Sequence, residues 1–269
     1  MNLKDRVAII TGAGSGIGQA TALSLARRGC HLALADIDAA GLALTQSQAS
    51  AAGVRISSHR LDVVNREAVA ALPAEVLQAH GRADLLVNNA GVALAGTFDQ
   101  VSESDFEWLM DINFHAVVRM TRAFLPQLLA SDDARIVNIS SVFGLISPPG
   151  QCAYCASKFA VRGFSNALRH ELTGTRVGVS VVHPGGVATA IARNARVALG
   201  IPHEQMSLRL RQAEKLLRMP PAAAGEIIVR GVEKRRARIL VGRDAVVISL
   251  LERLLPVHYW RVLAPRVQA

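Results

Sequence analysis

The chain has 269 residues, 51% of them hydrophobic, and a formal net charge of +9. That length and apolar content suit one substantial core and exclude a disordered chain. Three cysteines, Cys30, Cys152 and Cys155, are too few for a disulfide framework, so a reducing cytoplasm is the expected address.

The first apolar run, residues 7–10, ends at a glycine-rich turn and reads as a strand, not a leader segment. Residues 16–28 follow as a helix, 31–36 as a strand and 39–52 as a helix. Then come a strand at 55–61, a helix from about 66 to 79 and a short strand at 85–88. Ser102 and Asp105 have the spacing of a capping box. They open a long helix that contains Asn113. Residues 135–140 form a strand, 154–172 a helix and 177–183 a strand. Short apolar runs alternating with helical patterns predict a parallel sheet covered on both faces. The result is a doubly wound α/β fold of the Rossmann kind. No repeat or linker interrupts it, so residues 1–269 are expected to form a single catalytic domain.

After Pro184 the pattern changes. Within 188–220, Met206, Leu210, Ala213 and Leu217 make one helical stripe, with Arg209, Arg211, Lys215 and Arg218 mostly away from it. Residues from about 190 to 219 are therefore expected to form a helical, mobile lid over an apolar substrate. A helix at 222–234 and a strand at 239–241 follow. The tail, about 244–269, is apolar and studded with arginine. Its expected role is core or subunit packing, with peripheral membrane contact the lesser alternative. The arginines carry no nucleic-acid-binding motif, so nucleic acid is not an expected partner.

Gly12, Ser15, Gly16, Ile17 and Gly18 lie where the first strand turns into a helix. Glycine lets a backbone approach a pyrophosphate, and the helix N-terminus attracts its charge. Asp36 ends the second strand, eighteen residues after Gly18. A carboxylate there can accept both ribose hydroxyls of an adenosine and repels a 2′-phosphate. That favours NAD over NADP. The competing reading of Asp36 is a turn or cap residue.

Tyr154 and Lys158, at i and i+4, share one helix face, where the ammonium can favour the phenolate. With residues 11–18, Asn88-Asn89-Ala90-Gly91, Asn113 and Ser141, they resemble the short-chain dehydrogenase/reductase family over about residues 3–190. The resemblance implies hydride transfer between a nicotinamide and a carbinol or ketone, with a small-molecule substrate. Tyr154 would be the acid/base and Ser141 would bind the substrate oxygen. Lys158 would lower the tyrosine pKa and hold the nicotinamide ribose, and Asn113 would hold a water leading to Lys158. Asp62 and Val63 would meet adenine; Asn89, Ala90 and Gly91 the ribose side; Pro184, Val187 and Thr189 the nicotinamide carboxamide. The substrate would meet Ser141, Phe143, Gln151, Tyr154 and Gly185. These stretches are mainly apolar and carry no evident inner cation, which points to a neutral, hydrophobic secondary alcohol or ketone. The resemblance also implies a homodimer or homotetramer. His183 reads as structural. Alternatives are an NADP-dependent ketone reductase, a dinucleotide-binding regulator without catalysis and a sugar-nucleotide epimerase or dehydratase. Cys152 and Cys155 also spell C-x-x-C, so a redox or metal pair is weighed and set below the tyrosine motif.

Overall fold

A computed structural model of the chain describes residues 1–198 and 214–268. Strand β1 (Val7–Thr11) is apolar throughout until Thr11 because both of its faces are covered. Val7 and Ile9 point into one apolar layer, Ala8 and Ile10 into the other. That is the alternation a two-sided sheet imposes. Helix α1 (Gly16–Ala26), β2 (His31–Asp36), α2 (Ala39–Ser50), β3 (Ile56–Arg60), α3 (Arg66–His80) and β4 (Leu85–Asn88) follow. The second half adds β5 (Leu94–Ala95), α4 (Glu103–Met110), α5 (Ala116–Ala130), β6 (Ala134–Ile139), α6 (Cys152–Glu171) and β7 (Val177–Pro184). Beyond these lie β8 (Arg196–Val197), α7 (Pro221–Glu233), β9 (Arg238–Val241), α8 (Arg243–Leu254) and α9 (Tyr259–Gln268).

Among the described residues, seven strands pair in the order β3-β2-β1-β4-β6-β7-β9, and every pairing is parallel. The chain winds outward from β1 in one direction, then restarts on its other side at β4. The carboxyl ends of β1 and β4 therefore flank the crevice where this fold class binds its ligands. Leu25, Leu42, Ile228 and Val232 cover one face of the sheet. Leu72, Phe124, Leu128 and Leu168 cover the other. Burying such a side chain contributes up to roughly 1.5–3 kcal/mol. Helix α7 lies flush on α1, since a Cβ at Gly225 would stand 2.6 Å from the Ala20 carbonyl.

Three expectations change. The long helix after Ser102 is broken at Asp111–His115 by a π-helical turn, with Asn113 inside it. The Ser102 cap itself forms, accepting from the Asp105 amide at 3.1 Å. The lid is not helical where it begins: residues 196–197 pair in parallel with β5. Arg196 fixes that strand, donating to Asp105 at 2.7 Å with its guanidinium 3.7 Å from the Trp108 ring centroid. Residues 214–216 are helical, but Met206, Leu210 and Ala213 lie outside the described residues. The tail, expected only as an apolar segment, forms α8 and α9.

Candidate active site

The glycine loop sits at the crevice. Gly12 and Gly16 have φ of 65° and 55°, a region that favours glycine. A Cβ on Gly18 would run into the Gly12 carbonyl, so only glycine lets α1 start this close to β1. Ser15 takes the N-cap position but its side chain makes no cap hydrogen bond. The first amides of α1, around Gly16, Ile17 and Gly18, are thus left to another acceptor, and helix N-termini favour anions. The methyl end of Thr189 would be 3.2 Å from a Cβ on Gly16, which places the segment after β7 over this helix start. Asn89 locks the loop from β4, its Nδ2 donating to the carbonyls of Thr11 at 3.0 Å and Gly12 at 3.1 Å. Thr11, which the sequence did not single out, accepts from the amides of Asn89 and Ala90.

Asp36 reaches the same mouth. Its carboxylate accepts from the amide of Gly14 at 2.8 Å and of Asp38 at 3.0 Å. It therefore does some turn work, but Asp38 is the residue that caps α2. Two of the four acceptor directions of a carboxylate remain. Asp62 accepts from the Val64 amide at 3.1 Å, and Asn65, not Asp62, caps α3. Arg119 joins the loop after β3 to the π turn. It donates to the Val63 carbonyl at 3.2 Å and pairs with Asp111.

The four residues picked for chemistry come from three elements: the end of β6, the π turn and α6. Ser141 follows β6 and caps the short turn Val142–Gly144, its Oγ accepting from the Phe143 amide at 3.1 Å. Tyr154 and Lys158 share the first turns of α6, with Nζ 5.5 Å from the phenol ring centroid. Lys158 is buried, and Nζ donates to the Ile139 carbonyl at 3.2 Å. Gly91 makes room for both polar groups beneath it: a Cβ there would be 3.1 Å from Asn113 Oδ1 and 3.4 Å from Nζ. The Asn113 side chain is fully engaged. Its Oδ1 accepts from the Val92 amide at 2.8 Å, and Nδ2 donates to the Val92 carbonyl at 3.0 Å and to Ser157 Oγ at 3.2 Å. Ser157 donates in turn to the Tyr154 carbonyl at 2.7 Å. Ser157 escaped the sequence reading because nothing local marks it.

Burial governs the site's acidities. It pushes the Tyr154 phenol up to about 12, with the Ser141 hydroxyl pulling back. It pushes Lys158 down to about 8. Desolvation, not the Lys158 charge expected to lower it, sets the direction for the tyrosine here. His183, wholly buried, donates from Nδ1 to the Ser141 carbonyl at 2.9 Å, and burial lowers it to about 4. It is structural, as read, and what it supports is the backbone of Ser141.

The walls are apolar. Phe143 meets Tyr154 edge-on, with ring centroids 6.1 Å apart. Gln151 takes the N-cap position of α6 without a side-chain cap hydrogen bond and borders a small cleft with Leu94, Phe98 and Phe106. Gly185 offers less wall than expected, because Asp244 occupies the space its Cβ would need. Asp244 also accepts from the Gly186 amide at 2.6 Å. Met219 and Arg218 close on the Gly186 carbonyl at 2.9 and 3.0 Å, and Val187 bridges to Met219. Cys152 is exposed and Cys155 buried, with its thiol pushed up to about 11 by burial. Among the described residues no cluster suited to a metal ion occurs.

Fold and site together define an oxidoreductase that works with a nicotinamide dinucleotide on CH–OH groups. The chain belongs to the short-chain dehydrogenase family, whose pattern matches residues 6–199. It is 46% identical over 268 residues to a Mycobacterium tuberculosis protein that carries the name oxidoreductase SadH, covering 99% of this chain and 96% of that one. A short-chain dehydrogenase/reductase from Burkholderia phymatum, solved with NAD, superposes with a TM-score of 0.87 at 34% identity, over 94% and 95% of the two chains. A metagenomic short-chain oxidoreductase solved with NADP superposes with a TM-score of 0.72 at 30% identity, over 90% and 98%.

Proposed function

We propose that the chain is an NAD-preferring dehydrogenase of neutral, apolar secondary alcohols, or reductase of the matching ketones. The convergence of Ser141, Tyr154 and Lys158 beside the glycine loop carries the reading. The uncapped N-terminus of α1 and the glycine cradle fit a dinucleotide pyrophosphate. Asp36 would hold the adenosine ribose, Asp62 and Val63 the adenine, Asn89, Ala90 and Gly91 the other ribose, and Pro184, Val187 and Thr189 the carboxamide. The bound nicotinamide supplies hydride transfer. The protein places the substrate oxygen between Ser141 Oγ and Tyr154 Oη. In reduction Tyr154 gives its proton to that oxygen, and in oxidation it takes one. The Lys158 ammonium supports the phenolate and the nicotinamide ribose. Since the Asn113 side chain is spent on Val92 and Ser157, any water it holds for Lys158 must use its main-chain carbonyl, in a turn whose wider pitch disturbs the usual helical bonding.

The preference for NAD rests on the two free acceptor directions of Asp36 and on Ile37, 60% exposed, where a cation would be needed to meet a 2′-phosphate. The opposing observation is Arg60, the register neighbour of Asp36 on β3. Asp36→Ala with Ile37→Arg should shift preference toward NADP by at least about tenfold in kcat/KM. Tighter binding of NADP than NAD by the wild type refutes the role of Asp36.

The deciding experiment is a panel of secondary alcohols and ketones, neutral and charged, followed at the nicotinamide absorbance with both cofactors. Turnover of neutral apolar substrates is expected. A preference for carboxylates or phosphates would overturn the substrate class, and no turnover at all would favour a regulator. We also place the assembly on α4, α5 and α6, where Leu129 and Phe159 are exposed. The whole chain acts as one catalytic domain in the cytoplasm.

A further inference from the structure

We propose that the outer face of the two C-terminal helices rests on an anionic phospholipid bilayer. The pattern of α8 is inverted for a helix facing water. Its buried residues are the small Ala245 and Ser249. Its outward residues include Val246, Val247, Leu250 and Leu254, the last 77% exposed. Those four fall within one arc about 100° wide at the helical repeat. A surface helix ordinarily turns such residues inward. The exposed patch runs on through Leu255 and Val257 to Val262 on α9, where Trp260 is half-buried. Tryptophan suits a boundary that is apolar on one side and wet on the other.

Charge selects the occupant. Arg243, Arg253 and Arg261 are exposed on these helices. The acidic residues of the two helices are Asp244 and Glu252. Asp244 is tied to the Gly186 amide, and Glu252 is half-buried. A second copy meeting this face would present the same excess of arginine over acid and be repelled overall. An anionic lipid surface meets the same arginines with opposite charge and the apolar arc with acyl chains. Helix α8 has 12 residues, too short to span a bilayer, and no helix of the described residues is long and apolar enough to cross one. The contact is therefore interfacial.

The helices lean on both substrate-side loops. Tyr259 accepts from the Ser147 amide at 3.0 Å, and Asp244 holds Gly186. Docking would thus bring the mouth of the site to the lipid, where an apolar substrate collects. That last step rests on the proposed function; the docking does not.

The test is cosedimentation of the full chain with phosphatidylcholine vesicles containing about one-third phosphatidylglycerol near physiological salt, against pure phosphatidylcholine. The wild type should pellet with the anionic vesicles, stay in solution with the neutral ones and release as salt rises. Val247→Glu with Leu250→Glu and Leu254→Glu should cut the bound fraction roughly tenfold or more, with turnover of a small water-soluble alcohol retained. Should that triple variant misfold, Arg253→Gln with Arg261→Gln carries the test: it should narrow the gap between the two vesicle types. Wild type left in the supernatant with both vesicles overturns the proposal. So does a folded triple variant that pellets like the wild type. A triple variant that sediments as a smaller particle, with wild type indifferent to vesicles, assigns the face to a second copy and also overturns it. Vesicle binding without turnover of apolar alcohols would remove the substrate class and leave the docking standing.

Discussion

Tyr154→Phe should lower turnover by about two to four powers of ten while leaving affinity for NADH nearly intact. The substitution removes one oxygen from a phenol whose proton is held by burial, pushed up to about 12. Phenylalanine keeps the ring that packs edge-on against Phe143. The loss should therefore fall on kcat and not on folding or on cofactor binding. Single-turnover rates and a fluorescence titration with NADH separate the two. A folded variant with near-normal turnover would remove Tyr154 from the chemistry. Ser141→Ala would then be the variant to examine, since Ser141 is the hydroxyl beside the phenol.

Lys158→Met should abolish most activity, weaken cofactor binding and yet make the protein more stable at neutral pH. Nζ is buried, with one hydrogen bond, to the Ile139 carbonyl. Desolvation lowers Lys158 from 10.5 to about 8, a gap worth about 3 kcal/mol against the folded state when the group is charged. Losing the hydrogen bond costs about 1 kcal/mol, so a net gain of about 2 kcal/mol is expected. The pH dependence fixes the sign. Below about 8 both folded and unfolded chains carry the proton, and the penalty is fully present. As pH rises from about 8 toward 10.5 the folded chain releases the proton while the unfolded chain keeps it, so this group's penalty fades and wild-type stability climbs. Denaturant melts of both proteins should draw together as pH rises through that range and cross before its alkaline end, where wild type keeps the hydrogen bond and leads by about 1 kcal/mol. Wild type more stable than Lys158→Met at pH 7 would show that the ammonium is structurally needed.

The strands of the sheet were legible because both faces are covered, so each central strand is a short, nearly unbroken apolar run. The glycine loop and the spacing of Tyr154 and Lys158 were legible because chemistry imposes them locally. The π turn at Asn113 was not. No glycine or proline marks it, and the contacts that engage its side chain come from Val92 and Ser157, 21 and 44 residues away. Helix α8 escaped for a different reason. Its inward face is small, so the usual apolar stripe points outward and reads as an undirected greasy tail. The lid was read from a stripe whose centre lies outside the described residues, and its near end is a strand that only a partner at Leu94 and Ala95 could specify.

Asp244 ties together positions that look unrelated along the chain. The same carboxylate fills the space a side chain would need at Gly185 and at Gly242, and it accepts from the Gly186 amide. The mutational histories of these sites are therefore not independent. While Asp244 stays, neither glycine can acquire even a methyl group without displacing it. Once Asp244 is gone, position 185 loses its three nearest obstacles, whereas position 242 keeps a second restraint, its φ of 107°. Drift in this enzyme should proceed in a fixed order here, with the acid lost first and the glycines following, and chimaeras that exchange the tail alone inherit the wrong half of that bargain.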